Sequence, residues 1–434
     1  MALTVAIAIG TATFMVLSVL IKPYIKIGKK SIGLYWIICL IGALLMLLTN
    51  RISLSAVFDG ITANTSVNPL KILTLFLSMT LLSVYLGDAG FFDYVANTVF
   101  LKSKGGQLRL FLILYLVVSV LTVFTSNDVI ILTFTPPICI FAKKTKISPL
   151  PFLFGEFIAA NTWSMALIVG NPTNVYLAQS VGISFSEYFS VMALPALVGG
   201  TTSLLMLLLI YRKQLKAPIS VDKTQKGEMP NISKVPMIVA ISHLAVGIIL
   251  LSVSDILGIE MYLICLILAL SLTVFDLFYD LITMHTAKPV YASLKKEPYE
   301  LIPFVLSMFV IVLALKNSGA TDVLSNLLLT NTKLDGISFG FLSTISANLL
   351  NNIPMSVLFE KIIAGGSISA VYGSIIGSNI GAFLTPVGAL AGIMWSKILS
   401  KYGIELPFKK FVFYGAIIAL PTLICSVGAL YLVL

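Results

Sequence analysis

Residues Val123 to Pro137 read VFTSNDVIILTFTPP, a polar group of Thr125, Ser126, Asn127 and Asp128 followed by two prolines inside an otherwise apolar run. Basic residues flank the run on both sides: Lys102, Lys104 and Arg109 before it, Lys143, Lys144 and Lys146 after it. Such charge marks the cytoplasmic side of a membrane segment, so a segment carrying it at both ends enters and leaves on one side. Irregular backbone at membrane depth persists only where protein or a wet cavity covers it. The pattern predicts a re-entrant hairpin over residues 109–142, with its turn at Thr125–Asp128.

The rest of the chain has the same character. Its 434 residues are 58% hydrophobic and 11% charged, with a mean hydropathy of +1.03. Apolar runs of membrane-spanning length recur without the alternation of strands, which excludes an outer-membrane barrel. The expectation is an all-α polytopic membrane protein with about 10 transmembrane helices plus two re-entrant hairpins. The spans are read at 3–21, 32–50, 70–86, 188–211, 235–253, 261–278, 299–316 and 411–434, with broken spans at 149–180 and 367–399. A second hairpin, 336–364, turns at Asn351, Asn352 and Pro354 and enters from the opposite side. The first run is read as a retained span, because Lys22, Lys26, Lys29 and Lys30 follow it where a cleavage site would lie.

In this topology 23 of the 28 basic residues are cytoplasmic, all but Arg51, Lys71, Lys316, Lys333 and Lys361. Both termini are then extracytoplasmic, in the cell (inner) membrane. The net charge of +10 has this origin, so the partner it implies is the lipid bilayer and not a nucleic acid. Cys39, Cys139, Cys265 and Cys425 lie in apolar runs and read as packing residues, and His243 and His285 form no zinc cluster.

Shifting the sequence by 229 aligns Phe76–Phe100 with Val305–Leu329, matching Leu77-Ser78-Met79 with Leu306-Ser307-Met308, Gly90 with Gly319 and Asp93 with Asp322. The domain reading is an N-terminal repeat, 1–211, a cytoplasmic linker, 212–234, and a C-terminal repeat, 235–434. Each repeat holds three spans, a hairpin, a broken span and a final span. Five crossings are an odd number, so the repeats are inverted, the architecture of alternating-access transporters with a midplane site at the breaks. A short interfacial helix after the third span of each repeat accounts for Asp88, Asp93 and Asp322.

The candidate site comes from those interruptions. The first half supplies Ser126, Asn127 and Asp128, then Asn161 and Thr162, then Gly170, Asn171, Thr173 and Asn174. The second supplies Asn351 and Asn352, then Ser378, Asn379, Thr385 and Gly388. Amides and hydroxyls present oxygens without the desolvation cost of a fixed charge, and freed helix ends attract ions of either sign. Sodium would be held by Ser126, Asn127, Gly170, Asn352 and Ser378. Asp128 is the acid that its repeat mate Asn352 lacks, and it reads as proton carrier, cation ligand or structural partner of an amide. Glu156, in the first broken span, is a second acid on a proton path or else a capping or water-exposed one.

At SND followed by TP, at GNPTN, at LLNNIP and at GSNIGAFLTPVGALAGIMW, the sequence resembles the ion transporter superfamily. Its arsenite and antimonite permease (ArsB), citrate-metal and divalent anion/sodium symporter branches are the ones it is similar to. The resemblance implies two hairpins and two broken helices around one substrate site, a separate scaffold, an elevator-type motion and, as in several members, a homodimer. The arsenite permease pattern carries aspartates where this chain has Asn161 and Asn379. Neutral amides there fit sodium coupling, or a proton handled by Asp128 alone.

The expected function is ion-coupled secondary active transport of a small anion or oxyacid, with Na+ or H+ as the coupling ion and no cofactor. Arsenite or antimonite efflux and cation/proton antiport are the alternatives. No G-x-x-x-x-G-K-[ST] and no H-E-x-x-H occurs, so neither enzyme activity nor an ATPase subunit is called for by the sequence.

Overall fold

The computed structural model describes residues 1–21, 24–27, 30–65, 67–102, 106–219, 232–329, 332, 334–363 and 367–434. Residues 220–231 of the expected linker, Ala364, and the flanking Lys22, Lys29, Lys104 and Lys333 lie outside the described residues.

The chain opens with α1 (Ala2–Ile21), strands β1 (Tyr24–Ile27) and β2 (Lys30–Gly33), and α2 (Leu34–Leu48). Then come α3 (Leu54–Thr62), α4 (Pro69–Asp88) and α5 (Phe91–Lys102). The arms of the first expected hairpin are α6 (Gln107–Phe124) and α7 (Asn127–Thr145). The first broken helix is α8 (Leu150–Trp163) and α9 (Pro172–Gln179), followed by α10 (Phe185–Leu215).

The second half begins with α11 (Lys234–Ser252), α12 (Ser254–Leu257), α13 (Met261–Met284) and α14 (Lys288–Leu294). It continues through α15 (Leu301–Asn317), α16 (Ala320–Leu328) and the second pair of arms, α17 (Asp335–Leu350) and α18 (Asn352–Ile363). The second broken helix, α19 (Ile368–Gly381) with α20 (Leu390–Lys401), precedes α21 (Phe408–Leu430).

The protein is an all-α polytopic membrane protein. Among the described residues seven helices are long and apolar enough to cross a membrane, or eight if α15 and α16, bent by 80°, make one span. The expected ten were counted differently, for physical reasons. Each broken span is two short helices, and α2 has only 15 residues. In contrast α6, expected as a hairpin arm, is an 18-residue helix of hydropathy 2.2, sufficient by itself to cross. The lysine-rich stretch after the first span forms a β-hairpin pairing Tyr24 with Gly33 and Ile25 with Ile32. As expected, α5 and α16 follow α4 and α15, and Asp93 and Asp322 sit in their first turns, where a carboxylate complements the helix dipole.

Packing recurs between the halves. Helix α4 lies against α13 as α15 lies against α2; α7 packs on α20 as α18 packs on α9; and α10 and α21 pack on each other. The tightest approach joins α17 and α19, where Gly336 and Gly340 face Gly373 and Gly377. A β-carbon on Gly373 or Gly377 would sit under 3.0 Å from the opposing carbonyl. Small residues four apart allow this contact, which suits a membrane interior where close packing replaces hydrophobic drive. Outward side chains on α1, α11 and α13, such as Phe14, Ile249 and Ile282, remain exposed and apolar, as a lipid-facing surface requires.

Candidate functional site

Only Thr125 and Ser126 separate α6 from α7. Ser126 is the N-cap, and its Oγ accepts from Val129 N at 3.3 Å. Asn127 and Asp128 therefore stand in the first helical turn, where the dipole favours an acid. The stretch is a capped helix start, more ordered than a polar loop. Buried Asn127 turns inward and donates from Nδ2 to Asn161 Oδ1 at 3.0 Å. Asn161, in the last turn of α8, donates in turn to Phe157 O at 2.8 Å.

The two broken helices meet at Asn379. Its Oδ1 accepts from Ser164 Oγ at 3.0 Å and from Asn171 Nδ2 at 3.1 Å, while its Nδ2 donates to Asn174 Oδ1 at 2.7 Å. Ser378 Oγ donates to Thr173 Oγ1 at 3.1 Å beside it. Ser164, Asn171, Thr173, Asn174, Ser378 and Asn379 have no exposed surface. Full pairing is what makes such a polar seam tolerable in an apolar core. The break itself runs from Ser164 to Asn171 and folds back through two short 3-10 turns. Asn174 Nδ2 holds its freed carbonyls, Ser164 O at 2.9 Å and Leu167 O at 3.2 Å. At Gly170 a β-carbon would collide with Ser164 O, so the bend demands glycine.

The second tip binds its own half. Asn351 adopts φ +71°, a conformation that non-glycine residues rarely hold. Its Nδ2 donates to Val387 O at 3.0 Å, and Asn352 N donates to Gly388 O at 3.0 Å. Asn348 Nδ2 donates to Gly381 O at 2.9 Å and its Oδ1 accepts from Thr385 Oγ1 at 2.6 Å. Asn352 Oδ1 and Thr162 Oγ1 are buried without a hydrogen bond, so each carries an unused oxygen.

Asp128 lies elsewhere. Half-buried, it lines a cavity of about 1130 Å³ together with Tyr35, Thr80, Ser83, Asp88, Lys296, Glu297, Glu300 and Lys397. At the mouth, Glu300 accepts from Tyr35 Oη at 3.0 Å and Gly33 N at 3.2 Å, and Lys397 Nζ stands 3.8 Å from the Tyr24 ring centre. Asp88 takes Lys296 and Ser293 as partners. Glu297 is 7% exposed and neither carboxyl oxygen has a partner; burial pushes it up to about 8. A separate pocket of about 510 Å³ contains Lys71, ion-paired with Glu260 at 2.6 Å, along with Ile72, Gln179 and Tyr262.

The expected residues thus fall into four neighbourhoods, Asp128 standing apart on the large cavity. Asn127 joins Asn161; Asn171, Thr173, Asn174, Ser378 and Asn379 form the seam; Asn351, Asn352 and Gly388 form the second tip with Thr385 nearby. The proposed sodium ligands are divided among them, and no group of three or more His, Cys, Asp or Glu that could hold a metal occurs among the described residues. Ser378 and Asn379 lie on the last turn of α19, not within the break that GSNIGAFLTPVGA suggested. His243 bonds Val239 O and Ser271 Oγ, a structural arrangement. Ser164, Asn348 and Trp395 were missed; Asn348, one turn before the NNIP motif, could have been found from its spacing.

In comparisons with known proteins, the family model described as Citrate transporter matches residues 15–371. The "Arsenical pump membrane protein" of Escherichia coli (strain K12) is 28% identical over 382 residues, covering 82% of this chain and 85% of that protein. The "Putative arsenical pump membrane protein" of Bacillus subtilis (strain 168) is 25% identical over 425 residues, covering 90% and 92%. The "46 kDa membrane protein" of Mycobacterium leprae (strain TN) is 24% identical over 396 residues, covering 83% and 85%.

Proposed function

The chain belongs to the citrate transporter family, a family of membrane transporters, and from that premise we propose that it carries a small anion or oxyacid by ion-coupled secondary active transport. One observation supports this most: the two interrupted helices share a buried seam of amides and hydroxyls at Asn379, while the large cavity that Asp128 lines lies apart from it. The two halves read as inverted repeats, 1–211 and 235–434, and the matched packing of α7 on α20 and α18 on α9 favours that division. The side bearing Lys295–Glu300 is read as cytoplasmic, so the cavity is an inward-facing vestibule.

Within the seam no lysine or arginine contributes a hydrogen bond among the described residues. Taking a multiply charged anion there would leave its charge unpaired, at a high cost. A weakly ionised oxyacid could instead exchange hydrogen bonds with amides and hydroxyls. That preference and the names of the relatives favour a second reading, efflux of arsenite or antimonite. Coupling is to H+ or Na+, with Asp128 as the group that meets the ion, and no ATPase subunit is required for it.

The test is flux in proteoliposomes of the purified protein, with arsenite, antimonite or citrate as probe and with a pH or a sodium gradient imposed separately. Gradient-driven accumulation of one probe is expected, lost in Asp128→Asn. Flux that ignores both gradients would overturn the carrier reading.

A further inference from the structure

Glu156 lies at the centre of α8 with no exposed surface. It is neither a helix cap nor water-exposed, the two bland readings that its sequence position allowed. Thr135 Oγ1 of α7 donates to its Oε1 at 2.8 Å, and Trp395 Nε1 of α20 donates to its Oε2 at 3.3 Å. Three elements from both halves therefore converge on one carboxyl group. Aromatic rings enclose it: Trp395 lies 4.9 Å from Phe157, 5.9 Å from Phe154 and 5.8 Å from Phe411, centre to centre. None of the ion pairs found among the described residues involves it. The titratable groups that the surrounding helices contribute are the Cys139 thiol on α7 and the hydroxyls of Tyr211 on α10 and Tyr414 on α21, with Lys410 over the Tyr414 ring.

We propose that Glu156 is a proton-binding site of the transport cycle, distinct from Asp128, and that its protonation fastens α7 and α20 to α8. This rests on the transporter reading above. The geometry admits both protonation states with the same heavy-atom positions. As the acid, Oε1–H donates to Thr135 Oγ1, whose own hydrogen rotates away, while Trp395, which can only donate, keeps its bond to Oε2. As the carboxylate, the group keeps two donors and gains a charge without a cation in an aromatic enclosure, a costly condition unless water or a cation enters. Loss of the proton therefore favours separation of α7 and α20 from α8. The cavity comes within one residue of Thr135 along α7. Thr135 directly precedes Pro136 and Pro137, which line the vestibule. Neither proline has an N–H, so the α7 ladder is open in the turn between Glu156 and the cavity.

Glu156→Gln tests this. The amide donates to Thr135 and accepts from Trp395, reproducing the protonated form in a folded protein. Infrared titration of purified protein is expected to show a protonated-carboxyl band in wild type that titrates with pH and is absent in Glu156→Gln. Trp395→Phe, which removes one donor to the carboxylate, should shift the midpoint of that titration. In proteoliposomes Glu156→Gln should lose pH-driven accumulation at least tenfold, about 1.4 kcal/mol of coupling or more. No difference band between wild type and Glu156→Gln at any pH would overturn the proposal, as would unchanged pH-driven accumulation in the variant. Failure of wild type to move any probe, with the infrared band intact, would count against the transporter reading alone.

Discussion

Asn379 uses both ends of its side chain on the other half of the molecule. Three partners, Ser164, Asn171 and Asn174, depend on it. Asn379→Ala leaves them buried and unpaired, and each such group costs about 1–3 kcal/mol. Transport should be lost, and the denaturation midpoint in detergent should fall well below that of a lipid-facing control such as Ile249→Ala; an unchanged midpoint would argue that water fills the gap. The sequence made the seam's members legible, because Asn in an apolar run is expensive and invites a reason. It did not give the pairing. Asn161 and Asn379 each lie in a broken span, yet the first bonds within its own half and the second across. Glu156 was legible as a residue and opaque as a site, because Trp395, 239 positions away, supplies half its environment.

Elements are decided by smaller groups. Gly377 lies within the expected broken span 367–399 but is helical, and a β-carbon on it would collide with Gly340 O and Ser343 Oγ of α17. Periodicity could have shown it: Gly336 and Gly340, and Gly373, Gly377 and Gly381, recur at every fourth place. Gly377→Ala forces the helices apart, and overpacking of this kind costs about 1–3 kcal/mol. The same change at Gly428, where nothing lies within 4 Å, should leave thermal stability nearly unchanged; equal losses at both positions would refute the packing argument. The hairpin turns were legible because proline, asparagine and positive flanks announce them. The β-hairpin was not, since its strands are four residues each and their alternation is too short to stand out.

At the scale of the whole molecule, apolar composition fixed the membrane class, while the vestibule could not be seen because its walls come from β1, α4, α7, the 295–300 segment and α20 together. Glu297, one of those walls, links the fold to pH. Its ordinary value is near 4.3 and burial raises it to about 8, so the folded state prefers the protonated form. Stability is then greatest at low pH and declines as pH rises from about 4 through about 8. The charged groups that line the same cavity include Lys296 and Asp88, which pair with each other, along with Lys295 and Glu300. Between pH 5 and 8 the wild-type thermal midpoint should fall relative to that of Glu297→Gln; parallel curves would show that Glu297 ionises freely.

The shared amide at Asn379 has a consequence for the history of such chains. Lipid-facing surfaces are free to diverge, but not the positions where one half of the chain completes the other's hydrogen bonds. Changes at Asn171, Thr173 or Asn174 must be answered at Ser378 or Asn379. The two halves therefore work as a matched set, and a hybrid assembled from halves of two relatives keeps its seam only when Ser164, Asn171, Thr173, Asn174, Ser378 and Asn379 travel together.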